Sequence, residues 1–121
     1  MGTNPTNNMK KADKKTHRKT EQAIIKALTD VCDIAQIESE GFKWLTHTVN
    51  YNNLPASLIV LCVYNTNLDL ALADKDHIHT LIKQHLDAIG IQLKDIQKHV
   101  RFDTEEACKA SHGGKWGERL H

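Results

Sequence analysis

Leu58 to Tyr64 (LIVLCVY) is an unbroken apolar run of seven residues, with Pro55 before it and Asn65-Thr66-Asn67 after it. A strand with one wet face alternates apolar and polar side chains. A run with no polar position has no wet face to offer, so it predicts a central strand covered on both sides. Such a strand needs a neighbour to pair with and helices to cover it, and the rest of the chain can be searched for both. The run is far shorter than the roughly 20 residues that cross a bilayer as a helix.

The neighbour is the preceding segment. Phe42 to Tyr51 (FKWLTHTVNY) is rich in aromatic and β-branched residues, the composition of a strand. Alternation places Phe42, Trp44, Thr46 and Thr48 on one face and Leu45, His47, Val49 and Tyr51 on the other, so both faces are mixed. Asn52-Asn53-Leu54-Pro55 is turn chemistry, and the two strands form a hairpin. The helices show as stripes at a period of 3.6. Ile24, Ala27, Leu28, Val31, Ile34 and Ala35 make one, with Thr16 or Thr20 as its cap and Glu40-Gly41 as its end. Ile78, Leu81, Ile82, Leu86 and Ile89 make another, capped by Asp74 and closed by Gly90. Leu68 to Ala73 reads as a short linker or a helical turn, and Leu93 to Ile96 as one more turn or an extended link. His99-Val100-Arg101-Phe102 is a short third strand. Asp103 with Glu106 has the spacing of a capping box for a last helix over Ala107, Cys108 and Ala110 that ends at His112-Gly113-Gly114. Trp116 in the tail is expected to pack back on the body.

These elements give an α+β fold: a small, mainly antiparallel three-stranded sheet with about three helices in the order α-β-β-α-β-α. A length of 121 residues suits one domain. The expected organisation is a disordered basic arm over 1–19 and a single α+β domain over 20–121. Three cysteines, Cys32, Cys62 and Cys108, are too few and odd in number for a secreted disulfide scaffold. Residues 1–8 are polar and lack the apolar stretch of a signal peptide. The cytoplasm is the expected compartment, with no membrane role.

Charge is unevenly distributed. Residues 1–19 carry six basic side chains against Asp13 (+5), residues 20–90 four basic against nine acidic (−5), and residues 91–121 six against five (+1), which sums to the net charge of +1. A basic segment on an acidic body suits a protein that touches phosphates. Lys10, Lys11, Lys14, Lys15, Arg18 and Lys19 are the candidate nucleic-acid-binding residues, for DNA or RNA. Phosphate contacts of this kind are blind to base sequence and weaken with salt. The bland reading of the same residues is a solubilising tail. For the C-terminal tail, Trp116 and Arg119 among flexible glycines are candidate contacts for a protein partner or a second copy. The alternative is a segment that closes the chain's own core.

Other chemistry is thinner. His77, His79 and His85 lie on one predicted helix, but His77 and His79 are two apart and diverge. Cys108 and His112 are four apart and could share a face, yet a structural zinc site needs four ligands and no second pair is evident. Cys108 near a helix start, with His99 or His112 as base, is the only nucleophile worth weighing. A cysteine inside Ala-Cys-Lys-Ala is more often simply packed. Acidic residues at 103, 105 and 106 suit a helix start for dipole reasons alone. No motif implies a cofactor, and no residue is assigned to catalysis or metal binding. A helix-turn-helix is not expected, because a strand separates the last two helical segments. The element order resembles that of the ribosome-binding type of K-homology domain, but its Gly-x-x-Gly loop is missing: Leu93 stands three residues after Gly90.

From Phe42 to Leu120 the segments FKWLTHTVNY, LCVYNTN and HVRFDTEEACKASHGGKWGERL resemble a group of small bacterial proteins that carry the label Fis family transcriptional regulator. The resemblance implies that the same regulator label attaches here, and it supplies no catalytic or binding motif; the leading expectation is a non-enzymatic accessory or regulatory protein. The Fis fold itself is all helical and ends in a helix-turn-helix, whereas this chain has a strand-rich middle.

Overall fold

The computed structural model describes the backbone of residues 5–120 and the side chains of residues 16–120. Helix α1 spans Pro5–Glu38, strand β1 Phe42–Thr48, strand β2 Ile59–Tyr64, helix α2 Asn67–Leu72, helix α3 Lys75–Asp87, strand β3 Val100–Thr104, helix α4 Glu105–His112 and helix α5 Trp116–Arg119. Short 3-10 turns at Tyr51–Asn53 and Ile96–His99 precede β2 and β3.

The fold is α+β, as expected, and its sheet is mixed. In the order β1-β2-β3, β1 pairs antiparallel with β2, and β2 pairs parallel with β3. The parallel pair follows from what lies between: α2 and α3 carry the chain from the end of β2 back to the start of β3, the crossover that parallel strands require. Register sets three rows across the sheet. Trp44, Val63 and Asp103 form one, Thr46, Leu61 and Arg101 the next, and Thr48 with Ile59 the last.

One face of the sheet meets α1 and α3. Ile24, Leu28, Val31 and Ala35 of α1, Ile78, Ile82 and Leu86 of α3, and Val60, Cys62 and Tyr64 of β2 belong to one buried cluster. The expected stripes on α1 and α3 are therefore core stripes, except that Ile89 lies beyond the end of α3 and is 37% exposed. Val63 and Cys108 are fully buried but stand outside that cluster, because Val63 shares the opposite face with Trp44 and Asp103 and Cys108 is the buried residue of α4. These two short helices cover only the row nearest β3's end. The double-sided burial expected for Leu58–Tyr64 thus holds at its C-terminal half, while Ile59 and Leu61 are half-exposed.

Local chemistry marks the element ends. Gly41 has φ of 82°, and a Cβ there would overlap the Asp69 side chain, so both backbone and space demand glycine. Asp74 caps α3 by accepting from the His77 amide at 3.1 Å. Gly113, at φ of 61°, ends α4 in the left-handed conformation.

Two boundaries differ from expectation. Helix α1 starts at Pro5 rather than at Thr16 or Thr20, so residues 5–19, read from the sequence as a disordered arm, fall within its backbone range. Lys, Arg, Ala and Met have good intrinsic helix propensity, and proline is well placed at a first helical position. Helix α4 is capped by Thr104, whose Oγ1 accepts from the Ala107 amide at 3.0 Å, and not by an Asp103–Glu106 box. Asp103 is the last-but-one residue of β3 and pairs with Arg119, and Glu106 instead accepts from the Asn67 amide at 2.8 Å.

Candidate functional site

The six basic positions of the N-terminal segment lie within α1. They recur as 10, 14, 18 and 11, 15, 19, two adjacent rows at the four-residue spacing that a helix gathers to one side. The side chains of Lys10, Lys11, Lys14 and Lys15 lie outside the described residues. Arg18 and Lys19 are exposed. Among the described residues the buried cluster that ties α1 to the body begins at Ile24. N-terminal to it, His17 stacks on Tyr51 with ring centroids 5.3 Å apart. Glu21 acts electrostatically on both Tyr51 and His47: burial raises the Tyr51 phenol pKa and Glu21 adds to that, while burial lowers the His47 imidazole pKa against Glu21's opposing pull.

The other two candidates, Trp116 and Arg119, are brought together with residues that sequence reasoning did not single out as their partners. Trp116 packs edge-on against Trp44, centroids 5.0 Å apart. Glu105 bridges them: one carboxylate oxygen accepts from Trp44 Nε1 at 2.6 Å and the other from Trp116 Nε1 at 3.1 Å. Arg119 forks onto Asp103 through Nε at 2.6 Å and Nη2 at 3.0 Å, and its Nη1 donates to Ser111 Oγ and the Ala107 carbonyl. Burial pushes the Asp103 carboxyl upward, but hydrogen bonds from Arg119 and the Thr104 amide outweigh it and hold it below its usual range. Trp116 and Arg119 therefore act within their own chain as a clamp that holds α5 to β3 and α4. No local signal joins Trp44 to Trp116 across 72 residues; the register of β1 on β2 and β2 on β3 does so.

The histidines and cysteines are dispersed into separate contacts. His77 Nε2 meets Glu38 Oε2 at 2.5 Å, and His79 packs edge-on against Phe102. His85 and His99 donate from Nδ1 to the carbonyls of Leu81 and Leu58. His112 bonds Ser111. Among the described residues no three His, Cys, Asp or Glu side chains come together as a metal site would require. Burial raises the Cys108 thiol pKa, with Arg119 opposing, so the helix start does not give the activated thiolate that the sequence allowed. Cys62 is pushed up to about 12, by burial first, and Cys32 is raised for the same reason. None of the three is set up as a nucleophile.

Among the described residues no helix is long and apolar enough to cross a membrane. Comparisons with protein-family models, with curated proteins and with solved structures find no match.

Proposed function

We propose that this protein is a non-enzymatic, cytoplasmic accessory or regulatory protein that binds nucleic-acid phosphates through the N-terminal part of α1. The observation that carries the reading is the continuity of α1: one helix holds both the six basic positions and the apolar stripe that anchors it to the sheet. A helix of 34 residues is about 50 Å long, and among its described side chains the first buried one is Ile24. The body supplies the acidic balance of the chain, which would steer a polyanion toward the N-terminal end. The resemblance to bacterial proteins labelled transcriptional regulators agrees with this reading, without requiring base recognition.

Fluorescence anisotropy with labelled duplex DNA and single-stranded RNA across a salt series tests it. If all six cations meet phosphates of a duplex, the slope of log affinity against log salt is roughly −5. Replacing Lys10, Lys11, Lys14 and Lys15 by Gln should cut that slope by more than half. Absence of binding at low salt, or binding that survives the four substitutions unchanged, overturns the proposal.

A second reading is a protein-interaction or homodimerisation module. The observation that favours it is on α2, where Leu68 and Leu72, one turn apart, are 66% and 77% exposed. Sedimentation at rising concentration would separate self-association from binding of another protein.

A further inference from the structure

We propose that the uncovered part of the sheet face opposite α1 and α3 binds a small amphipathic anion, an aliphatic chain ended by a carboxylate. The site is a hollow of about 380 Å³. Its floor is the two rows that α4 and α5 leave bare, with half-exposed Ile59 and Leu61 at the centre and exposed Thr46 and Thr48 beside them. Leu120, 52% exposed just past α5, overhangs one end. The volume lies in the range of small-molecule sites, and the floor is apolar where a chain would rest.

The polar group that selects the ligand is Arg101. It stands level with Leu61 and Thr46 in the sheet register, its side chain is exposed, and among the described residues it makes no hydrogen bond or ion pair. The nearest carboxylate on its own strand, Asp103, is occupied on both oxygens by Arg119. A free guanidinium beside an apolar floor is complementary to a carboxylate, which it can hold through two parallel N–H bonds. The Thr46 and Thr48 hydroxyls provide further donors. The pairing of Asp103 with Arg119 also offsets the negative charge that would repel such a ligand from the hollow's end. The site is independent of the basic helix, which has its own test.

Octanoate is the probe, followed by amide chemical shifts of the full chain. Saturable shifts centred on residues 46, 48, 59, 61, 101 and 120 are expected. Arg101→Gln should weaken octanoate binding by about tenfold or more, and 1-octanol should bind correspondingly worse than octanoate. Lys98→Gln, which removes an exposed cation outside the hollow, should change nothing. Shifts that fail to saturate or centre elsewhere, equal binding of octanoate and octanol, or an unaffected Arg101→Gln variant would each overturn the proposal. So would shifts of the same residues that follow protein concentration without ligand, since a second copy would then be the occupant.

Discussion

Glu105 satisfies two indole N–H groups at once, one from β1 and one from α5. Sharing one carboxylate makes each bond depend on the same side chain. Glu105→Ala leaves both donors without a protein partner in a half-buried setting and should cost about 1–3 kcal/mol. Trp44 and Trp116 are the chain's two tryptophans, so intrinsic fluorescence reports this contact directly. A red-shifted emission with a lowered denaturation midpoint is expected; unchanged emission would mean the indoles hold together by packing alone. Thr104 invites a similar test. It is 1% exposed, caps α4, and donates to Asn67 Oδ1. Thr104→Ala should cost about 1–2 kcal/mol, whereas Thr104→Ser keeps the oxygen and should cost less. His47 ties a residue to pH. Burial lowers its pKa in the folded state, so the unfolded chain takes up the proton first. Above its ordinary value near 6.5 neither state is protonated at this residue and it has no effect. As pH falls through 6.5 toward the depressed folded value, stability drops, and below that value the loss is complete. His47→Gln should remove this component, seen as a flatter stability profile below pH 6.5.

At the scale of elements, α1 divides by function. Ile24 is fully buried in the main cluster, and Ile24→Ala should cost about 2–5 kcal/mol. The quadruple Gln variant at 10, 11, 14 and 15 should leave the denaturation midpoint nearly unchanged, as surface substitutions usually do. The stripes that pack α1 and α3 were legible in the sequence because burial writes its period into residue choice, and Asp74, Gly41 and Gly113 were legible because caps and left-handed turns accept few residue types. The start of α1 was not, because a stretch of polar helix formers has no apolar period and its amino acids suit a solvated coil equally well. The mixed sheet was hidden for another reason: a five-residue strand looks the same whether its partner runs parallel or antiparallel, and only the helical crossover decides. Asp103 drew a capping assignment because an acid three residues before Glu fits that motif. Its bidentate partner, Arg119, lies 16 residues away, beyond any local pattern. The same non-locality hid the Trp44–Glu105–Trp116 contact.

Across the whole molecule, the sheet has a large core on one face and a small one on the other. The main cluster spans α1, α3 and β2. The second rests on Val63, Cys108 and the two indoles, held by Glu105 and the Arg119–Asp103 fork. Few apolar residues and a polar clamp make a unit that can open while the larger core stays shut. Native-state hydrogen exchange should therefore show two levels. Amides of β2, α1 beyond Ile24 and α3 should exchange only through global unfolding, and those of α4 and α5 through a smaller opening. Acid should lower the free energy of this smaller opening. Asp103 has a depressed folded pKa, so its contribution is present above the ordinary carboxylate value near 4 and is lost as pH falls through the depressed value. Asp103→Asn should remove that pH dependence and bring the opening at neutral pH close to its acid level. Uniform protection of α4, α5 and β2 at every pH would show that the two faces unfold as one.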